Sequence, residues 1–168
     1  AGNRNFLGEG VGFDACLQLL EALQPDLAFN CHVEVGFSFS AEQLAAMRAN
    51  LAERVSLYRD LLPWDDPNYG LDEHWVRCDP YEQSVSPGGR VELEVVFTNH
   101  SAESREAICR PVLPLEWDVQ VEPRRARIAA KREQGISFTF EVPRDAACGR
   151  WVVPVEVTYG GRRLGQFR

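Results

Sequence analysis

The chain has 168 residues, of which 45% are hydrophobic and 26% are charged, so a disordered protein is excluded. The formal net charge of -7 argues against nucleic acid as the main partner, and the apolar runs are too short to cross a membrane. The three histidines lack the spacing of a metal or catalytic pair. The sequence therefore predicts no complete active site.

Charge is divided unevenly along the chain. Residues 1–72 contain four Lys and Arg against eleven Asp and Glu, a net charge of -7, whereas residues 73–168 contain fourteen of each. The secondary-structure signals change at the same place. The sequence therefore predicts two unlike segments, joined by a turn-rich but ordered connector over residues 63–72.

The first predicted elements are a helix and a strand. Leucines recur at helical spacing over residues 14–24, and Asp14 lies in the first turn, where a carboxylate meets unpaired backbone N–H groups. Pro25 ends this pattern. The apolar run at residues 27–31 predicts a buried strand, and His32 follows it directly.

The clearest element begins at Ser40. Ser40 and Gln43 form a capping-box pattern, and an apolar stripe at steps of three and four continues to Leu62. Residues 33–39 show no strong period, so the strand at 27–31 has no evident partner for its backbone N–H and C=O groups. We expect either a missing part of a longer chain to supply the sheet or the segment to dock on the second domain.

The order helix, strand, His, loop and long helix resembles the end of a metallo-beta-lactamase-fold hydrolase. The match covers residues 6–62 and centres on the run PDLAFNCH, which ends at His32. In that family a late strand ends in a metal-binding His. The resemblance implies that His32 is a ligand for zinc or another divalent metal in the full-length parent. The family's H-x-H-x-D-H motif is absent from this chain, so the resemblance implies an inactive fragment without catalytic or cofactor-binding residues of its own.

The five cysteines are odd in number, widely spaced and free of any C-x-x-C pair. A disulfide framework or a structural zinc site would look different. Buried, reduced thiols are the expected state, and they indicate a cytoplasmic protein.

From residue 73 onward the apolar pattern has a period of two, which is typical of strands with one buried face. It is strongest over residues 91–97, 136–142 and 153–159, and Gly160 with Gly161 predicts a hairpin turn after the last of these. Weaker strands are predicted over residues 75–81, 107–112, 117–121, 127–130 and 164–167. Seven or eight short strands predict an antiparallel β-sandwich.

This segment resembles an immunoglobulin-like accessory domain of the alpha-galactosidase-associated type, found in bacterial multidomain proteins. The residues that carry the resemblance are Ser86-Pro-Gly-Gly89, Thr98-Asn-His100, Leu113-Pro-Leu-Glu-Trp117, Val142-Pro143 and Cys148-Gly-Arg-Trp151. It implies packing, spacing or binding rather than chemistry. The one basic cluster of the chain comprises Arg124, Arg125, Arg127, Lys131 and Arg132. It is either a solvated strand edge or a site for an acidic partner.

Together these observations predict an α+β fold: an incomplete α/β unit over residues 1–62, the connector, and an immunoglobulin-like β-sandwich over residues 73–168. The leading hypothesis is the C-terminal part of a metal-dependent hydrolase, whose partner is the missing N-terminal part of its own chain. The sandwich would extend the catalytic domain or hold the subunits of a homo-oligomer together. The alternative is a stand-alone interaction module in which Trp64, Trp75 or Trp117 lines a binding surface. His74 and His100 are expected at the surface.

Overall fold

The structure is a computed structural model that describes residues 6–30 and 32–167, and it is a mixed α+β fold of helices and antiparallel sheets. It divides into two units, Ala1–Asp72 and Glu73–Arg168. The segment expected to connect them, residues 63–72, belongs to the first unit. Within the described ranges, no helix is both long and apolar enough to cross a membrane.

The first unit contains two helices with a hairpin between them. Helix α1 spans Gly12–Leu23 and α2 spans Ala41–Leu61, while β1 (Ala28–Asn30) pairs antiparallel with β2 (Val33–Phe37). The expectation that the first strand has no partner in this chain is therefore wrong. Its partner β2 begins at Val33, and the last residue of the predicted strand, Cys31, lies outside the described residues.

Side-chain hydrogen bonds lie at the start of both helices. The capping box predicted for α2 is confirmed, since Ser40 Oγ accepts the Gln43 N–H at 3.2 Å and Gln43 Oε1 accepts the Ser40 N–H at 2.9 Å. Asp14 lies in the first turn of α1 as predicted, and its Oδ2 accepts the Gly10 N–H at 2.6 Å. The bonds of Ser40 and Gln43 satisfy N–H groups at the start of α2, whereas Asp14 binds a backbone N–H that precedes Val11, the N-cap residue of α1.

Two hydrogen bonds, which we call the clasp, join the two ends of the first unit. Residues Pro67–Gly70 form a 3-10 turn, and the Asn68 side chain bonds both backbone groups of Leu7: its Oδ1 accepts the N–H at 2.7 Å and its Nδ2 donates to the C=O at 2.8 Å. Leu7, Asn68 and Tyr69 are all buried. The turn therefore belongs to the small core of this unit, although Asn68 is polar.

The second unit consists of two antiparallel sheets. Its strands are β3 (Val76–Asp79), β4 (Arg90–Thr98), β5 (Arg105–Pro111), β6 (Arg124–Ile128), β7 (Glu133–Glu141), β8 (Val155–Tyr159) and β9 (Arg162–Phe167). One sheet has the order β3-β4-β7 and the other β6-β5-β8-β9. The predicted Gly160-Gly161 hairpin is confirmed, and both glycines have positive φ (55° and 77°), as a tight turn between β8 and β9 requires.

One predicted strand is wrong. Residues Leu115–Trp117 form a 3-10 turn, and residues 118–121 belong to no strand. The backbone of Asp118 adopts the left-handed conformation (φ 45°), which ends the turn and cannot continue as a strand.

The core of the second unit draws on both sheets. Val95, Phe97, Phe138, Val157 and Tyr159 are at most 1% exposed. The Phe97 ring of β4 stacks on the Tyr159 ring of β8 with 6.1 Å between ring centroids, so the two sheets share one apolar interior. Burying a side chain of this size contributes about 1.5–3 kcal/mol.

Candidate functional site

The structure places the predicted metal ligand, His32, in the turn between β1 and β2, where it is exposed. His74 is also exposed, and its Nε2 lies 3.3 Å from Glu73 Oε1. His100, which was expected at the surface, is instead buried, since the turn after β4 folds inward with Asn99 and Ser101.

Within residues 6–30 and 32–167, no group of three or more His, Cys, Asp or Glu side chains is arranged to hold a metal ion. The described residues alone therefore do not form a metal centre, and we derive no reaction step through one.

The first unit exposes an unusual amount of apolar side chain. Fourteen large hydrophobic side chains are exposed among the described residues, and ten of them belong to this unit. We call these ten the apolar surface of the first unit: Val11, Phe13, Leu19, Leu23, Leu27, Phe29, Val35, Met47, Leu57 and Leu61. Among the 21 residues of α2, none is buried. The apolar stripe that the sequence predicts on α2 is therefore only half covered.

A groove of about 190 Å³ lies between the two helices. Its lining from α1 is Phe13, Cys16 and Leu17, and its lining from α2 is Met47, Asn50, Leu51 and Arg54. The Arg54 guanidinium lies 5.6 Å from the centre of the Phe13 ring. This lining includes no nucleophile paired with a base, so the groove suits an apolar side chain rather than a reaction.

Ion pairs join the two helices beside this groove. Arg48 Nη1 lies 2.5 Å from Asp14 Oδ1, and Arg48 Nη2 lies 2.7 Å from Glu21 Oε2. The Gly10 N–H and then Arg48 hold the pKa of Asp14 below its ordinary value, and the hydrogen bond from Arg48 does the same for the pKa of Glu21. The cluster stabilises the helix pair and leaves no carboxyl poised for proton transfer.

The outer face of the four-stranded sheet is the second feature that bears on binding. A shallow groove of about 190 Å³ lies there, lined by Ile108, Cys109, Arg110, Pro123, Glu156 and Thr158. Glu156 accepts hydrogen bonds from Arg163 at 2.8 Å and from Arg110 at 3.0 Å, which lower its pKa.

The structure separates the predicted basic cluster into parts. Arg124 Nη1 donates to the Ser137 carbonyl at 2.6 Å, and its guanidinium lies 5.4 Å from the centre of the Phe138 ring. Lys131 Nζ donates to the His100 carbonyl at 2.5 Å. Arg125 and Arg127 remain as an exposed pair on β6.

The tryptophans named for a binding surface lie in packed positions. Trp64 packs on Tyr69 at 5.3 Å, and Trp75 packs on Tyr159 at 5.1 Å between ring centroids. Trp117 is 7% exposed and is covered by Trp151 in a T-shaped contact at 5.6 Å. Trp117 is therefore part of the interior, whereas Trp64 and Trp75 are half-buried.

Comparison with solved structures adds a weak likeness. No protein-family model matches the chain, and no curated protein matches it. A solved structure of Pseudomonas fluorescens alkylpurine DNA glycosylase AlkC, bound to DNA containing an abasic site analog, is similar with a TM-score of 0.34 and 14% identity. The alignment covers 92% of this chain and 41% of that chain, so this chain spans less than half the length of that structure. We draw no function from a likeness at this level.

Proposed function

We propose that the chain is the C-terminal part of a metal-dependent hydrolase of the metallo-beta-lactamase type, without catalytic activity of its own. The first unit would complete the catalytic domain, and the second unit would be an immunoglobulin-like β-sandwich appended to it. The observation that carries the proposal is the apolar surface of the first unit.

That surface is too apolar for an element that works alone in water. Phe29 and Val35 on the hairpin are 71% and 69% exposed, and Leu61 at the end of α2 is 79% exposed. A two-stranded hairpin is only marginally stable without a third strand or a covering layer. Extended apolar patches on a protein surface mark interfaces. The resemblance over residues 6–62 suggests that the remaining strands and helices of a hydrolase domain cover this surface.

His32 is the residue to which the resemblance assigns a metal. It lies two residues after the end of β1 and is exposed, so a ligand set from the rest of the catalytic domain could approach its imidazole. A bound divalent metal would supply a polarised water for hydrolysis in the complete protein. This chain would contribute one imidazole to that centre, and its helices would support the strand that carries it.

The second unit supports the role of an accessory domain. Its three- and four-stranded antiparallel sheets share a core through Phe97 and Tyr159, as expected for a β-sandwich. Such a domain would extend the catalytic domain or join subunits, since the described part of it shows no cluster of reactive side chains.

The test begins with the reading frame upstream of Ala1, where the proposal expects an H-x-H-x-D-H motif about one domain earlier. The protein that includes this region is then prepared as wild type, His32→Ala and His74→Ala. Metal content is measured by mass spectrometry, and hydrolysis is measured with generic lactam and phosphodiester substrates. His32→Ala should lose about one metal per chain and at least 100-fold in kcat/KM.

His74→Ala is the matched control, because His74 is also exposed but lies in the second unit. It should keep the metal content and rate of the wild type. An upstream region without the motif, or a His32→Ala protein with unchanged metal content, would refute the hydrolase proposal.

A stand-alone binding module is the second candidate, and the groove between α1 and α2 is the observation that favours it. The distinguishing measurement is hydrogen exchange of the isolated chain. A module would protect the amides of α2 strongly without any upstream segment, whereas the proposed hydrolase fragment would protect them weakly until that segment is present.

A further inference from the structure

Two arginines lie two residues apart on the outer face of an edge strand. β6 pairs with β5 at one end of the four-stranded sheet, with Arg125 opposite Ile108 and Arg127 opposite Glu106. Ile128 is fully buried, whereas Arg125 and Arg127 are exposed. Because side chains alternate along a strand, both arginines lie on the face directed away from the core.

Most of the hydrogen-bonding capacity of this pair is unused. Arg127 Nε donates to Ser104 Oγ at 2.9 Å. Within the ranges that the structure describes, its two terminal nitrogens and the whole Arg125 guanidinium form no ion pair. The contrast with Arg110 and Arg163 is clear, since both of these bind Glu156. A planar guanidinium with free N–H groups is suited to a carboxylate, which it can bind through two parallel hydrogen bonds.

We propose that β6 binds an extended acidic segment of a partner protein, which adds to the sheet as a further strand with acidic side chains at alternate positions. Same-face side chains two residues apart are separated by about 6.8 Å in any extended strand. Carboxylates in an acid-x-acid pattern on the added strand therefore match the spacing of Arg125 and Arg127. Main-chain hydrogen bonds along the edge would supply affinity, and the two ion pairs would fix the register.

The outer face of this sheet favours an acidic polypeptide over nucleic acid. The side chains around the pair are Glu106, Ile108, Arg110, Glu156 and Thr158, which include no aromatic ring on which a base could stack. Arginines on an edge also discourage neutral and basic strands, which leaves an acidic strand as the preferred occupant.

The test uses two labelled octapeptides of identical composition. One alternates Glu and Thr throughout, and the other repeats Glu-Glu-Thr-Thr, so only the first places all its carboxylates on one face of a strand. Binding to the full chain is measured by fluorescence anisotropy at low salt. We expect saturable binding of the alternating peptide, with the paired peptide at least tenfold weaker.

Matched variants locate the site. Arg125→Glu combined with Arg127→Glu should weaken binding of the alternating peptide at least tenfold. Arg144→Glu combined with Arg150→Glu changes the net charge equally at exposed positions between β7 and β8, and should change the affinity less than twofold. Hydrogen exchange of the β6 amides should slow when the alternating peptide is bound. Circular dichroism of each variant checks that its sheets are intact.

Three results would overturn the proposal. Equal binding of both peptides would show attraction by charge without strand addition. Tighter binding of an eight-nucleotide single-stranded oligonucleotide would show a nucleic-acid surface. An absence of binding to either peptide would show that the arginines only protect the edge.

Discussion

The guanidinium of Arg48 on α2 holds the carboxylate of Glu21 on α1 at two points. Arg48 Nε lies 2.8 Å from Glu21 Oε1, and Arg48 Nη2 lies 2.7 Å from Glu21 Oε2. Because two parallel hydrogen bonds join the groups, they fix the orientation of the guanidinium relative to the carboxylate as well as the distance between them. Because no residue of α2 is buried, the relative orientation of the two helices depends more on polar contacts than it would in a unit with a large core.

Replacement of Arg48 by Met should loosen the helix pair while keeping most of the side-chain stem. We expect a lower urea midpoint for the first unit and faster hydrogen exchange across α1. Arg59→Met is the control, since Arg59 is exposed on the same helix. Equal exchange rates in the two variants would show that the ion pairs add nothing to the stability of the unit.

The same cluster predicts how the stability of the first unit depends on pH. The pKa of Glu21 lies below its ordinary 4.5 and that of Asp14 below its ordinary 3.8. Depressed carboxyl pKa values stabilise the fold above the ordinary values, and this contribution disappears as pH falls through the lowered ones. The difference in urea midpoint between wild type and Arg48→Met should be constant from pH 6 to 8 and shrink steadily below about pH 4.5. A difference independent of pH would contradict this.

Truncation in the core of the second unit should be costly. Phe138 on β7 is 1% exposed, so Phe138→Ala should lower the free energy of unfolding by about 3–5 kcal/mol. Thr139→Ala, at the exposed neighbouring position, should change it by less than about 0.5 kcal/mol. Denaturant melts followed by tryptophan fluorescence measure both. Similar losses in the two variants would contradict the inward orientation of Phe138.

Asn99 should resist even an isosteric change. Its Nδ2 donates to the carbonyls of Glu103, Ile128 and Ala129 at 2.9–3.1 Å, and its Oδ1 accepts the Ser101 N–H at 2.9 Å. Asn99→Asp places a carboxylate oxygen against these carbonyl oxygens in a buried site. The loss should be about 2–4 kcal/mol at pH 7 and should decrease at low pH, when the carboxyl group is protonated. Thermal melts at pH 7 and pH 4 provide the measurement, and a loss that grows at low pH would be inconsistent with this argument.

Thiol reactivity should separate the cysteines. Burial raises the pKa of Cys109 to about 12, whereas Cys16 and Cys148 are exposed. Because the thiolate is the reactive form, iodoacetamide at pH 8 should modify Cys16 and Cys148 within minutes and leave Cys109 unmodified until denaturant is added. Mass spectrometry of the digested chain identifies each site. Rapid modification of Cys109 in the folded protein would show that β5 separates from its neighbouring strands more readily than its burial suggests.

Features set by neighbouring residues were predictable from the sequence. The capping box needs only Ser40 and Gln43, so the start of α2 was found. The alternation around Leu93 and Phe138 depends on one buried face per strand, so β4 and β7 were found, and the structure pairs Leu93 with Phe138 in register.

Features set by tertiary context were not predictable. The partner of β1 was missed because the sequence at residues 31 and 32 is Cys-His, without the Gly or Asn that usually announces a hairpin. The strand expected after Trp117 was wrong because burial against Trp151 and the left-handed Asp118 decide that segment. The buried Ile128 shows that Arg125 and Arg127 share the outer face of β6 and that Arg124 lies on the opposite face, which a list of basic residues does not show.

The clasp between Leu7 and Asn68 brings residues 61 positions apart into contact. Both helices and the hairpin lie between these two residues in sequence, so the two hydrogen bonds close the first unit into a loop. In a circular permutant of the first unit, the new termini lie in the exposed turn at His32, and a short linker joins the segments that carry Leu7 and Asn68. This permutant should retain the pairing of α1 with α2. Asn68→Ala would remove both of these hydrogen bonds while leaving every residue of α1 and α2 unchanged.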